Sequence, residues 1–130
     1  DGGVFDVADD AETMFPNFGV TGGRTHGNAL LARVRPFEDI HTAVSDLIRD
    51  AGFARAEVYG IGSLIGAVFT DAAEMASPIS EVLVLPGAAW NGHLHLPMHC
   101  VDPDGGQFQG TIRAGGAPVC VTFELLVLSL

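Results

Sequence analysis

The chain contains no lysine, so its six basic residues are all arginines, and 16 acidic residues bring the formal net charge to −10. A protein that binds nucleic acid directly needs clustered cations to displace the counterions of the phosphates. Here the arginines are scattered along 130 residues. The composition therefore argues against direct binding to nucleic acid, and the same shortage of cations argues against binding to an anionic membrane surface.

Long apolar runs are also missing from the sequence. The longest, PVCVTFELLVLSL, is interrupted by Thr122 and Glu124 and falls short of the roughly 18 apolar residues that a membrane-spanning helix needs. Yet 48% of the residues are hydrophobic, only 17% are charged, and the mean hydropathy is +0.33. A small domain exposes too much surface for such a composition, so we expect apolar surface to be buried between subunits of an oligomer.

Cysteine is scarce as well. Cys100 and Cys120 are too few for a disulfide framework, and we expect buried free thiols, with Cys100 in the core. No charged segment followed by an apolar one, as in a secretory signal peptide, is visible after Asp1. We therefore expect a cytoplasmic protein.

Turn-forming residues divide the chain into an N-terminal arm, residues 1–28, and one domain, residues 29–130. The arm is rich in glycine, aspartate and threonine and has no sustained hydrophobic period, so it has room for one short strand or turn of helix.

Residues 36–52 predict the one amphipathic helix of the domain. Pro36 precedes it, Glu38 and Asp39 are expected in its first turn, and Gly52 is expected to end it. The apolar side chains that recur at helical spacing are Ile40, Val44, Leu47, Ile48 and Ala51.

Most of the remaining domain predicts β-strands, because its apolar residues alternate or form short runs between turns. We expect ARAEVYGIG and SLIGAVFT to be two strands joined by a turn or bulge around Gly60 and Gly62. The run EVLVL is typical of a central strand that is buried on both faces. One helix with many strands, and no alternation of the two, predicts an α+β fold with a largely antiparallel sheet.

The segment WNGHLHLPMHCVDPDGGQFQG holds the strongest candidate site. On a continuous strand, His93, His95 and His99 would share one face. His-x-His is a suitable ligand pair for zinc or another divalent metal, and a catalytic zinc takes three protein ligands and a water. Two alternatives stay open: a polar groove without metal, or the use of one histidine, His95, as a general acid or base.

Glu124 is the second catalytic candidate. It lies in an apolar strand, where an unpaired carboxylate is costly to bury. We expect it to face solvent or a groove, or to pair with Arg33, Arg35 or a bound ion; a structural hydrogen bond at a subunit boundary is the alternative. Arg55 and Arg113 are candidates for binding a carboxylate substrate, on the basis of charge alone.

The order of motifs resembles the plants-and-prokaryotes-conserved (PPC) domain family, which follows AT-hooks in a class of plant nuclear proteins and occurs alone in bacteria and archaea. The matching motifs are PFEDI, AEVYGIGSLIGAVF, EVLVLPGAAW, the histidine-rich segment ending in DPDG, and VTFELLV. The resemblance implies the stand-alone type, a β-rich fold around one helix, and a homotrimer.

The resemblance also bears on the histidines. Bacterial members of the family usually carry His-x-His, Asp-x-Asp-Gly and Gly-Gly-His, and these histidines can hold zinc; the fold is similar to that of the zinc enzyme acetolactate decarboxylase. An alignment on DPDG places His95 at the first family histidine, Pro97 at the second and Thr111 at the third. A shift of two residues makes His93 and His95 the pair but does not supply the last ligand.

Two functions follow as hypotheses. The first is a trimeric PPC-like interaction module, and because the sequence has no AT-hook, any role on DNA would be indirect, through a protein partner. The second is an enzyme or ligand-binding protein that takes a small molecule in a cleft formed by His93, His95 and His99, with a metal or without one.

Overall fold

The computed structural model describes residues 21–130. Within this range the chain forms one α-helix and nine β-strands in a single sheet, which confirms the predicted α+β class. The helix in this range is not long and apolar enough to cross a membrane. The elements are β1 (Gly22–His26), β2 (Ala29–Val34), α1 (Ile40–Ala51), β3 (Ala56–Leu64), β4 (Ser80–Val84), β5 (Ala89–Trp90), β6 (Leu94–His95), β7 (Pro97–Val101), β8 (Gln107–Thr111) and β9 (Val119–Ser129).

The sheet has the order β1-β2-β9-β3-β4-β7-β8, and the short strands β5 and β6 extend it beside β3. Every strand pair in the described range is antiparallel. The eleven-residue β9 lies between β2 and β3 and brings the C-terminal end of the domain into the middle of the sheet. The predicted arm, residues 1–28, lies outside the described residues up to position 20, and its end forms β1.

Helix α1 covers one face of the sheet. Its buried side chains include Ile40, Val44, Leu47 and Ile48, which belong to the predicted apolar stripe. They join one hydrophobic core with side chains from the facing side of the strands, among them Phe123. Because this helix covers a single face, the other face of the sheet is left without a helix in the described part of the chain.

The start of α1 differs from the prediction, because neither Glu38 nor Asp39 belongs to its first turn. Asp39 does not lie in the first turn but is the N-cap, whose carboxylate accepts a hydrogen bond from the N–H of Thr42. The same carboxylate also accepts the N–H groups of Gly115 and Ala117, from the turn that precedes β9. Gly52 ends the helix as predicted, in the left-handed conformation at φ 77°.

The expectation of two strands joined around Gly60 and Gly62 is wrong, because β3 runs through both glycines. They are required for a close approach: a Cβ on Gly62 would lie 2.5 Å from the ring of Phe123 on β9. The register between β3 and β9 shifts between Gly62 and Leu64, so the pairing is irregular at the place where a turn or bulge was predicted. Ser63 Oγ accepts the N–H of Val121 at 2.9 Å, which satisfies a backbone donor at this irregularity.

Strand β4 also departs from the prediction that it is buried on both faces. Ser80, Val82 and Val84 are buried, whereas Glu81 and Leu83 are exposed. The strand is central in the sheet, but in a single chain only the face beneath α1 is covered.

Candidate functional site

The face of the sheet opposite α1 carries a group of exposed apolar side chains, which we call the open face. Its members, with their exposed fractions, are Leu31 (61%), Tyr59 (46%), Ile61 (62%) and Leu83 (50%). In the strand register Ile61 lies opposite Leu83, and Leu31 and Tyr59 both lie opposite Leu126. Four strands thus bring these side chains into one continuous apolar surface.

One row of side chains crosses the open face from β2 to β7. Arg33 lies opposite Glu124, Glu124 opposite Ile61, Ile61 opposite Leu83, and Leu83 opposite His99. Residues that are directly opposite in an antiparallel sheet point to the same side. The row therefore places two predicted site residues, Glu124 and His99, on either side of two exposed apolar side chains.

A cavity of about 580 Å³ opens along this row, and we call it the β3–β7 pocket. A shallower hollow of about 380 Å³ adjoins it over β2, β9 and β3. The pocket is lined by Ile61, Gly62, Glu81, Val82, Leu83, His99, Val101, Thr122 and Glu124.

Glu124 is paired with Arg33, one of the alternatives that the sequence left open. Its Oε2 accepts hydrogen bonds from Nη2 of Arg33 at 2.9 Å and from Nε at 3.3 Å. The side chain of Arg33 is 9% exposed, whereas that of Glu124 is 49% exposed and borders the pocket. Arg35, the alternative partner for Glu124, pairs with Glu38 instead, at 3.6 Å. Glu124 therefore neutralises a nearly buried guanidinium and also contributes to the wall of a groove.

His99 and Glu81 supply the other polar groups of interest in the pocket. His99 is half-buried, and its Nδ1 lies 3.1 Å from Oε1 of Gln109. Because the amide oxygen is an acceptor, Nδ1 donates, and the neutral ring keeps Nε2 as an acceptor. Glu81 is exposed and forms no ion pair or hydrogen bond with any other described side chain.

The three histidines of the candidate metal site do not meet. The segment does not form the one continuous strand that would align them, because it is interrupted at Leu96 between β6, which pairs with β5, and β7, which pairs with β4 and β8. His93 precedes β6, His95 ends it, and His99 lies in β7. Across residues 21–130, no group of three or more His, Cys, Asp or Glu side chains is close enough to hold a metal ion.

Asp71 lies within electrostatic range of His95. The Asp71 carboxylate accepts the N–H of Thr111 at 2.7 Å and its hydroxyl at 3.1 Å. These hydrogen bonds, the backbone one above all, lower the pKa of Asp71. Asp71 is therefore hydrogen-bonded to Thr111, the position aligned with the third family histidine, and lies within electrostatic range of His95.

Asp71 was not singled out by the sequence. It lies in a loop of small and polar residues with no motif around it, and an isolated bridge between Phe69 and Ile112 brings that loop to the end of β8. Only the fold brings these distant parts of the chain together, so no local signal could have identified this residue.

The remaining candidates lie elsewhere. Arg55 and Arg113 are exposed and line neither hollow of the open face, so their role in binding a carboxylate stays a prediction. Cys100 is buried in the core as expected, and burial raises the pKa of its thiol to about 11. Cys120 is half-buried, and both thiols are free.

Comparison with known proteins identifies the fold. No protein-family model and no curated protein matches the sequence. Solved structures do match: a PPC protein from Pyrococcus horikoshii has 17% sequence identity and a TM-score of 0.61, with 86% of this chain and 82% of that chain covered. The chain has the fold of a PPC protein, as the motifs predicted.

Two further solved structures share this fold. A "putative DNA binding protein" from Bacteroides thetaiotaomicron has 15% identity and a TM-score of 0.66, over 84% of this chain and 83% of that one. A "metal-containing protein" from Archaeoglobus fulgidus has 17% identity and a TM-score of 0.60, over 85% and 84%. At these identities the likeness concerns the fold and carries no residue of a site.

Proposed function

We propose that the protein is a homotrimeric interaction module that assembles through its open face. The observation that carries this proposal is the exposure of Leu31, Tyr59, Ile61 and Leu83 side by side in a sheet whose other face is covered by a helix. Isolated apolar residues are common on protein surfaces, but a contiguous patch is typical of an interaction site.

A second copy of the same chain is the occupant that fits best. Covering apolar surface stabilises an assembly by roughly 25 cal/mol for each Å² removed from water. The apolar excess of the whole chain, 48% hydrophobic against 17% charged residues, supports the permanent burial of such a patch. The number of three subunits comes from the resemblance to the PPC family.

A direct role on DNA has no support in the charges around the β3–β7 pocket. Glu81 and Glu124 both line the β3–β7 pocket, and Arg33, the cation in the same row, is engaged by Glu124. The chain as a whole carries a formal charge of −10. Two of the solved structures with this fold are described as DNA-binding; in this protein a function on DNA would require a protein partner that supplies the cations.

The test is the mass of the protein in solution, measured by analytical ultracentrifugation over a range of micromolar concentrations. We expect three times the chain mass of 13.5 kDa. Leu83→Asp places a carboxylate in the centre of the open face and should shift the mass toward one chain, because a buried unpaired charge is costly. A wild-type protein that sediments as a monomer would refute the proposal.

A matched control separates the open face from other exposed apolar residues. Phe37 is 77% exposed and lies in the loop between β2 and α1, outside the open face. Phe37→Asp should leave the mass at three chains. If Phe37→Asp dissociates the assembly and Leu83→Asp does not, the subunits meet at the loop, and the open face is not the interface.

A further inference from the structure

We propose that the β3–β7 pocket binds a small organic cation, an ammonium group carried on an apolar body. The first observation is the form of the pocket. Its volume of about 580 Å³ lies within the range of about 300–1,000 Å³ that is typical of small-molecule sites. Ile61, Leu83 and Val101 give it apolar walls that suit an aliphatic or aromatic body.

The second observation is the chemistry of the polar groups at the pocket. Glu81 presents a carboxylate with no ion pair among the described residues. Glu124 presents a second carboxylate, of which Oε2 is engaged by Arg33. His99 donates from Nδ1 to Gln109 and so presents Nε2 as an acceptor when the ring is neutral.

These groups favour a positively charged ligand over a neutral or a negatively charged one. The lining contains two carboxylates and an imidazole and no arginine, and because Arg33 neutralises Glu124 from behind, Glu81 is the carboxylate that gives the pocket its negative charge. An ammonium group brings three donors and no acceptor, and its hydrogen bonds to a carboxylate are among the stronger ones in proteins. The net charge of −10 also raises the local concentration of cations near the surface. A carboxylate ligand would meet repulsion from Glu81, and the nearby guanidinium of Arg33 is already paired with Glu124.

The pocket shares Ile61 and Leu83 with the open face. It therefore lies within the surface on which a neighbouring subunit would pack, and a neighbour that spans the groove without filling it would turn it into a more enclosed cleft. The inference rests on the proposed function only for the enclosure of the groove, because every group that selects the ligand belongs to one chain.

The experiment uses three ligands with one aromatic body and different head groups: 2-phenylethylammonium, the neutral 2-phenylethanol and the anionic 3-phenylpropionate. Binding to the full chain is measured by calorimetry at pH 7. We expect the ammonium ligand to bind at least about tenfold more tightly than the other two, and Glu81→Gln to remove about tenfold of that affinity, as is typical when a hydrogen bond between charged groups is lost. Glu74→Gln, an exposed glutamate outside the pocket, should bind like the wild type.

Equal binding of the alcohol or the anion, the absence of saturable ammonium binding, or unchanged affinity in Glu81→Gln would each overturn the proposal. Sedimentation of the same samples keeps this inference distinct from the trimer. A monomer that binds the ammonium ligand through Glu81 would support this inference and refute the assembly. A trimer that does not bind the ligand would do the opposite.

Discussion

Arg33 on β2 and Glu124 on β9 lie directly opposite each other and form an ion pair, with 2.9 Å between Nη2 and Oε2. This pair ends a row of side chains that continues over the apolar Ile61 and Leu83 to His99. The apolar centre of the open face thus has polar groups at both of its borders. Interfaces between proteins commonly show this arrangement, with an apolar centre and a polar rim.

The ion pair predicts a specific loss of stability. Glu124→Gln removes the negative charge next to a guanidinium whose side chain is only 9% exposed. The half-exposed position of Glu124 tempers the effect, so we expect a loss of about 1–3 kcal/mol in the free energy of unfolding, measured with urea.

A double-mutant cycle with Arg33→Met isolates this interaction. If the pair is responsible, Glu124→Gln should cost less in the Arg33→Met background than in the wild type, because the charge that it leaves unpaired is already absent. Equal costs in both backgrounds would show that Glu124 acts independently of Arg33.

We expect any side chain at position 62 to clash in the centre of the sheet. In Gly62→Ala the new Cβ would lie 2.5 Å from the ring of the fully buried Phe123, so β3 or the ring must move. We expect a loss of about 1–3 kcal/mol in unfolding free energy, as is typical of an overpacked core. Phe123→Leu alone should also destabilise, but the double variant should be more stable than the sum of the two losses predicts. Additive losses would contradict the close approach.

We expect the free energy of unfolding to depend on pH through the carboxylate of Asp39. Burial acts to raise the pKa of Asp39, but the hydrogen bonds from the N–H groups of Thr42, Ala117 and Gly115 and from the Thr42 hydroxyl outweigh it, so the folded pKa lies below 3.8. The unfolded chain then binds the proton more readily, and the contribution of this carboxylate is present above pH 3.8 and is lost as the pH falls through the folded pKa.

Asp39→Asn tests that dependence. The free energy of unfolding of the wild type should fall more steeply than that of the variant between about pH 5 and pH 2.5. Asp39→Ser keeps a cap for α1 but is too short to serve Gly115 and Ala117 as well, so it should lie between the wild type and Asp39→Ala, which we expect to lose about 2 kcal/mol. Parallel pH profiles for wild type and Asp39→Asn would contradict the assignment.

The sequence predicted those features of the fold that depend on local periodicity. The stripe on α1 and its stop at Gly52 follow from spacing and from backbone conformation alone. Gly60 and Gly62 misled the prediction, because glycine is common both in turns and where two strands approach closely, and only the position of Phe123 distinguishes the two cases. The exposure of Leu83 depends on which sheet face the helix covers, and this is a tertiary property.

The sequence could predict a contact of the site only where the chemistry of a single residue restricted its surroundings. Glu124 in an apolar strand had to reach solvent or a groove or to have a partner on energetic grounds, and it is half-exposed and paired with Arg33. For the histidines the local pattern was misleading. Their spacing fits one face of a strand, but the interruption at Leu96 places His95 in the pairing with β5 and His99 in the pairing with β8. The β3–β7 pocket arises from the pairing of four strands, and no local motif encodes it.

The two cysteines should differ in reactivity. Burial raises the pKa of the Cys100 thiol to about 11, so almost none of it is thiolate at pH 8. Cys120 is half-buried. We expect a maleimide reagent at pH 8 to label one thiol per folded chain and two per unfolded chain, as counted by mass spectrometry. Cys120→Ser should abolish the labelling of the folded protein, and labelling that persists in this variant would contradict the core position of Cys100.

Elemental analysis of untagged protein, with and without added zinc, tests the metal hypothesis. No three ligand-type side chains meet within residues 21–130 of one chain, and the His-x-His pair offers two donors at most. A structural or catalytic zinc site needs at least three protein ligands. We therefore expect zinc to bind weakly, to be removed by a mild chelator, and to be lost altogether in His95→Ala. One tightly held zinc per chain would contradict this expectation and require a third ligand from a neighbouring subunit.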